Sequence, residues 1–152
     1  MLILTFVMFI GIFRWPLLWM GSLVAIIALL IGLFITTYMG RNIRTYLNEK
    51  GLRVTGPLLD VLIPYEEMKD VVPRRDVDWG TRIAGYAGID TIGGNFVNKE
   101  FGRYKAGAYL STPICIVVSY GKKRALVFNL DSSAGTEQVY RDLIERKESI
   151  VF

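Results

Sequence analysis

The sequence contains no histidine and a single cysteine among its 152 residues. Without histidine, the chain has no Ser-His or Cys-His catalytic pair, no histidine metal ligand and no histidine pH switch. Cys115 has no second cysteine with which to form an intramolecular disulfide. The phosphate-binding motifs G-x-x-x-x-G-K-[ST] and G-x-G-x-x-G are also missing, which argues against nucleotide binding.

Charged side chains are nearly missing from the first 40 residues, where Arg14 is the only one. The remaining residues carry 17 Lys and Arg against 14 Asp and Glu, so their net charge is +3. This small excess is spread along the chain, unlike the concentrated basic stripe of nucleic-acid-binding proteins. We therefore expect no nucleic-acid partner.

Residues 17–39 form an uncharged run, LLWMGSLVAIIALLIGLFITTYM. As a helix this run would extend roughly 35 Å, enough to cross a hydrocarbon core of about 30 Å. Its Leu and Ile side chains each favour insertion by roughly 0.3–0.6 kcal/mol near the helix centre. The sequence thus predicts an integral protein of the cell membrane, with residues 1–40 as the anchor and the lipid bilayer as a partner.

The first 13 residues are apolar, but a helix of that length would extend only about 20 Å. Arg14, Trp15 and Pro16 follow, and proline suits the first turn of a helix. We favour a helical hairpin, in which residues 1–13 form a short helix and residues 17–39 form the main span. One span preceded by an interfacial or re-entrant segment is the alternative.

Small residues line one face of the predicted span, because they are spaced by four, three and four positions: Gly21, Ala25, Ala28 and Gly32. Small side chains allow a second helix to approach closely. We favour packing of this face against residues 1–13, and self-association of two copies is the alternative.

Basic residues follow the predicted span, including Arg41 and Arg44, whereas only Arg14 precedes it. Since Lys and Arg next to a span remain on the cytoplasmic side, we expect residues 41–152 to form a cytoplasmic domain. Arg41 and Arg44 are also placed to contact anionic lipid headgroups.

From Arg44 onwards, short runs of alternating apolar and polar residues are separated by turn signals, which indicates β-strands. The best three cover residues 101–110, 113–120 and 123–130, and the middle one is apolar on both faces, as a central strand would be. Cys115 lies in that strand, where we expect a buried thiol. We interpret the glycines of segment 80–107 as tight bends between strands.

The C-terminal region has the pattern of an amphipathic helix. Asp131, Ser132 and Ser133 offer N-caps, and apolar residues then repeat at helical spacing at Val139, Tyr140, Leu143 and Ile144. This stripe is expected to cover the open end of a small β-barrel.

The order of these parts resembles the bacterial pleckstrin-homology-like (PH-like) proteins over roughly residues 41–147. RTYLNEKGLRV resembles the opening hairpin of that family, and I-P-Y-E-E-M at Ile63–Met68 is similar to its I-P-Y-x-x-I element. GGNF and FGRYKAGAYLST resemble its glycine-rich run and the aromatic strand that follows. The resemblance implies an α+β fold, in which a partly open barrel or sandwich of about seven antiparallel strands is capped by a C-terminal helix.

The sequence favours a binding or scaffold module that docks a protein partner, or another copy of itself, at the membrane. The alternative is a sensor of anionic lipid headgroups, through Arg41, Arg44 and the densest basic group, Lys122, Lys123 and Arg124. No catalytic constellation, metal-ligand set or cofactor motif is present, so we do not expect an enzyme.

Overall fold

The computed structural model describes the backbone of residues 2–39 and 43–151, and the side chains of residues 19–35, 37, 38 and 43–149. The chain divides into two compact units, Met1–Thr36 and Thr37–Phe152. The first unit contains helix only, and the second contains all of the strands that the structure describes. We call residues 43–151 the β body.

Helix α1 runs without a break from Leu2 to Met39. The predicted hairpin turn at residues 14–16 is therefore wrong, because the helix passes through Pro16. Proline has no backbone N–H and so removes one hydrogen bond from a helix, but the residues on both sides of Pro16 are helical. Among the residues that the structure describes, no helix is both long and apolar enough to cross a membrane.

The row of small residues on α1 is open in the described part of the helix. A Cβ atom built at Gly21 or Gly32 meets nothing within 4 Å, and Ala25 and Ala28 are exposed. The favoured packing against residues 1–13 is wrong, because residues 2–13 continue the same helix instead of folding back. Self-association through this face stays a prediction.

The first sheet of the β body has three antiparallel strands in the order β1-β2-β3. Strand β1 covers Arg44–Asn48, β2 covers Gly51–Gly56 and β3 covers Leu59–Pro64. The turn between β1 and β2 is closed by Asn48, whose Oδ1 accepts a hydrogen bond from the Gly51 N–H at 3.1 Å. The hairpin expected from RTYLNEKGLRV is thus confirmed.

The second sheet has six strands in the order β4-β8-β9-β7-β6-β5. A single 3-10 turn at Tyr65–Glu67, directly after Pro64, leads into it. The strands and the closing helix have these bounds: β4 Met68–Arg75, β5 Thr81–Ala87, β6 Thr91–Asn98, β7 Gly102–Tyr109, β8 Ile114–Tyr120, β9 Arg124–Phe128 and α2 Ser133–Val151.

The α+β class and the C-terminal helix are confirmed, but the strand pattern differs from the expected one in two respects. The described residues contain nine strands rather than about seven, because the glycine-rich region contains both β5 and β6. One pair is parallel: β9 returns from β8 in a hairpin and then lies beside β7, with Lys105 opposite Leu126. A wholly antiparallel arrangement was therefore the wrong expectation.

Apolar side chains form two clusters, one on each face of the six-stranded sheet. The first cluster joins both sheets and α2, and includes Leu52, Ile63, Ile116, Leu126 and Leu143, all fully buried. The second lies on the opposite face and includes Tyr104, Cys115, Val117 and Val127. Strand β8 is apolar on both faces because each face contributes to one of these clusters.

Candidate functional site

A basic groove opens where strands β7 and β9 begin. Two adjoining depressions, of about 590 and 410 Å³, share Arg103, Tyr120, Arg124 and Ala125 in their walls. We call the combined surface the basic groove and define it by its five cationic side chains, which come from three parts of the chain: Lys69, Arg103, Lys105, Lys123 and Arg124.

Strand alternation explains how β7 supplies two of these cations. Tyr104 and Ala106 point into the second apolar cluster, so Arg103 and Lys105 point to the other face of the sheet. Over most of that face the three-stranded sheet and α2 cover the first cluster. Arg103 is exposed and Lys105 is half-buried, so both remain open to a ligand where β7 begins.

The turn between β8 and β9 supplies Lys123, and the first residue of β9 is the next cation, Arg124. Gly121 and Lys123 both adopt left-handed backbone conformations, with φ of 53° and 59°. Glycine adopts this conformation freely, but it costs an L-residue such as lysine roughly 1 kcal/mol. Lys123 is exposed, so no burial of its own side chain offsets this cost.

The groove carries a surplus of positive charge. Within the described residues, the ion pairs shorter than 4 Å are Arg53–Asp60 and Arg74–Glu100, and neither includes a groove cation. Glu100 is in the wall of the groove, but its carboxylate already accepts a hydrogen bond from the Arg74 guanidinium at 2.8 Å. Besides the hydrogen bond from Arg53, the charge of Lys105 helps to lower the pKa of Asp60, but none of the five cations is in an ion pair among the described residues, so all five can contact an anionic ligand.

Two aromatic side chains, Phe96 and Tyr104, line the smaller of the two depressions. Tyr104 packs between Phe96 and Phe101, with ring centroids 5.9 and 5.4 Å away. Its hydroxyl donates a hydrogen bond to the Trp79 carbonyl at 2.8 Å. Burial, with a smaller contribution from the Asp78 carboxylate, raises the pKa of Tyr104 to about 12. The phenol therefore keeps its proton at neutral pH, and its hydrogen bond fixes it as an uncharged part of the groove wall.

The predicted headgroup contacts do not come together. Arg41 lies outside the described residues, and Arg44 pairs with Thr55 at the start of β1, beside the turn that joins β2 to β3. That turn packs against Gly107 through Leu59, and Gly107 is four residues along β7 from Arg103, or roughly 13 Å. Arg44 is therefore well separated from the groove.

The basic group at the β8–β9 turn divides between the groove and the solvent. Lys123 and Arg124 are in the groove walls, whereas Lys122 is exposed at the tip of the turn and is in neither depression. Sequence reasoning missed Lys69, Arg103 and Lys105. Strand alternation in the sequence predicts that Arg103 and Lys105 lie on one face. Their position next to the β8–β9 turn depends on the parallel pairing of β7 with β9, which the sequence does not reveal.

Metal binding finds no support in the part of the chain that the structure describes, which has no group of three or more Cys, Asp or Glu side chains arranged around a common point. Comparison with known proteins adds no assignment: no protein-family model, no curated protein and no solved structure matches this chain significantly. The chemistry of the site is therefore inferred from its own residues.

Proposed function

We propose that this protein is a membrane-tethered, PH-like binding module facing the cytoplasm, and that it docks a protein partner by holding an acidic segment in the basic groove. The observation that carries the proposal is the convergence of five cations, none in an ion pair among the described residues, from β4, β7 and the β8–β9 turn. Arg side chains bind carboxylates in a bidentate manner, so Arg103 and Arg124 are the principal contacts.

The membrane anchor is supported by the uncharged run at residues 17–39. Large apolar side chains along the described part of α1 are exposed, among them Trp19 at 70% and Val24 at 65%. Exposed apolar surface of this kind marks a contact with a membrane or a partner protein, and the 23-residue uncharged run in the sequence favours the bilayer. Arg41 and Arg44 follow the run and favour a cytoplasmic β body.

Headgroup sensing by the predicted basic residues is the less favoured function, since Arg44 and the Lys122–Arg124 turn are separated along the β body. A single flat bilayer surface is not expected to engage both. An acidic protein segment needs only the groove, where the cations are already close together.

Binding of an acidic peptide tests the proposed function. The full-length protein in nanodiscs is titrated into a fluorescein-labelled, glutamate-rich peptide of 12 residues, and fluorescence anisotropy is recorded at 50 and 300 mM salt. We expect saturable binding that weakens with salt. The double variant Arg103→Glu, Arg124→Glu should weaken binding on the order of tenfold or more, since each attraction becomes a repulsion.

A charge-matched control separates the groove from net charge. Lys50→Glu, Arg141→Glu changes the net charge by the same amount at exposed residues outside the groove and should reduce affinity less than about twofold. Equal losses of peptide affinity in the two double variants, or no binding by the unchanged protein, would contradict the proposal that the basic groove holds an acidic segment. Binding of phosphatidylserine vesicles by the groove, with no binding of the peptide, would instead favour the headgroup function.

A further inference from the structure

Three exposed aliphatic side chains lie on turns of the β body: Leu58 between β2 and β3, Ile89 between β5 and β6, and Leu110 just after β7. Their exposed fractions are 70%, 80% and 46%. Single exposed leucines are ordinary on protein surfaces, so exposure alone assigns no role to them. We call these three residues the apolar tips.

The three turns meet at one end of the β body. The Leu110 N–H donates a hydrogen bond to the Asp90 carbonyl at 2.7 Å, which joins the segment after β7 to the β5–β6 turn. The β2–β3 turn packs over β6, so closely that a Cβ atom at Gly93 would lie 2.6 Å from the Pro57 carbonyl oxygen. The apolar tips therefore share the end of the sheet that lies opposite the basic groove.

The chain enters the β body at this same end. Ile43 is buried and packs against Gly56, where an added Cβ would lie 3.3 Å from the Ile43 Cγ1. Arg44 then pairs with Thr55, next to the β2–β3 turn. Arg44 is exposed, so it supplies a cation close to the apolar tips.

The backbone conformation of Leu58 follows from the tight turn between β2 and β3, in which Pro57 and Leu58 are the two residues between the paired Gly56 and Leu59. Leu58 has φ of 55°, in the left-handed region that disfavours bulky L-residues. At the tip of this turn Leu58 is among the most exposed apolar residues of the β body. The turn therefore holds an apolar side chain outward at the end of the β body where Ile89 and Leu110 are also exposed.

We propose, on the basis of the membrane anchoring proposed above, that the apolar tips insert into the lipid interface of the bilayer that holds α1. The bilayer is the favoured occupant because the chain tethers it there: from Met39 to Ile43 is four residues, which span at most about 14 Å. Arg44 adds a cation at the depth of the headgroups. Aliphatic tips beside a cation match the apolar and anionic layers of a lipid surface.

This contact directs the basic groove away from the bilayer. Along β7, Arg103 and Leu110 are seven residues apart, or roughly 23 Å at 3.3 Å per residue. That separation exceeds the Debye length of about 8 Å at physiological salt. Charges on the headgroups are thus screened from the groove, which remains free for an acidic protein segment.

Depth-dependent fluorescence quenching tests the contact in the full-length protein. Leu58→Cys, Ile89→Cys and Leu110→Cys are each labelled with the fluorophore NBD and reconstituted in vesicles of phosphatidylcholine and phosphatidylserine that carry doxyl-labelled lipid. Lys122→Cys, exposed at the opposite end, is the matched control. Cys115 is 3% exposed, so the unchanged protein should take up little label while folded.

We expect a blue shift and at least twofold stronger doxyl quenching at the three tips than at position 122. Quenching no stronger than at position 122 would overturn the inference, and so would a blue shift without doxyl quenching, which indicates contact with protein, such as a second copy. Carbonate extraction separates the two proposals. Protein retained in the membrane with unquenched tips refutes only this contact, whereas protein released by carbonate refutes the anchoring as well.

Discussion

The side chain of Asn129 binds both main-chain groups of Tyr109. Its Oδ1 accepts a hydrogen bond from the Tyr109 N–H at 2.6 Å, and its Nδ2 donates one to the Tyr109 carbonyl at 3.0 Å. The same Nδ2 group also donates to the Thr112 carbonyl at 3.1 Å. A fully buried amide thus joins the end of β9 to the end of β7 and to the crossover into β8, where the parallel pair must be held in register.

Replacement of Asn129 by alanine should therefore destabilise the β body by about 1–3 kcal/mol, because three hydrogen bonds of the buried amide are lost, although the Tyr109 carbonyl keeps the hydrogen bond from the Thr112 N–H at 3.3 Å. Thermal unfolding of the full-length protein in detergent, followed by circular dichroism, measures the change. Asn95→Ala, at an exposed position of β6, is the control and should have little effect. A melting temperature unchanged by Asn129→Ala would show that the amide does not hold the crossover.

Stability should fall at high pH. Burial raises the pKa of the Cys115 thiol to about 11 and that of the Tyr104 phenol to about 12, above their ordinary values of 9.0 and 10.0. Groups whose pKa is higher in the folded chain favour folding while protonated, so this contribution is complete below pH 9 and is lost as pH rises through 11 and 12. The melting temperature measured from pH 7 to 12 should decrease from about pH 9 upwards.

The variants Cys115→Ala and Tyr104→Phe test the origin of that decrease, because neither can ionise at the replaced position. Each should make the dependence of melting temperature on pH shallower than in the unchanged protein, whatever its effect at pH 7. A pH dependence identical in all three proteins would assign the loss of stability to other groups.

Alanine at Gly93 should destabilise the protein by about 1–3 kcal/mol, because its Cβ would lie 2.6 Å from the Pro57 carbonyl oxygen, a backbone atom that cannot turn aside. Gly107→Ala is the matched comparison: there the clash is with the end of the Leu59 side chain, which can rotate. Thermal unfolding should rank Gly93→Ala as the more damaging change. The reverse order would mean that the β2–β3 turn shifts easily over β6.

Lys123→Gly should separate stability from binding. Glycine accepts the φ of 59° without strain, so we expect the free energy of unfolding to rise by up to about 1 kcal/mol. The same change removes one cation from the basic groove and should weaken binding of the glutamate-rich peptide about two- to fivefold. Lys122→Gly, outside the groove, should leave peptide affinity nearly unchanged. If Lys123→Gly and Lys122→Gly changed the peptide affinity equally, Lys123 would not be part of the binding surface.

Several elements could be predicted from local sequence because their causes are local. Alternation in FGRYKAGAYL predicts a strand with Tyr104 and Ala106 on one face, and in the structure both are buried in β7. The Asp131-Ser132-Ser133 segment predicts a helix start, and Ser132 Oγ indeed accepts a hydrogen bond from the Gly135 N–H at 3.2 Å. The prediction of a hairpin turn at residues 14–16 was wrong because a proline does not by itself end the helix that precedes it. In the structure α1 continues through Pro16.

The sequence by itself determined the uncharged run at residues 17–39, the β-rich C-terminal region and the closing helix, because hydrophobic period and turn residues act over a few positions. Tertiary structure decided that β9 inserts beside β7, and with it the surface where Arg103 and Lys105 meet Lys123 and Arg124. It also decided that Leu58, Ile89 and Leu110 belong to one end of the β body. Pairing between distant strands depends on the packing of the whole core, so no local pattern specifies which charged or apolar side chains become neighbours.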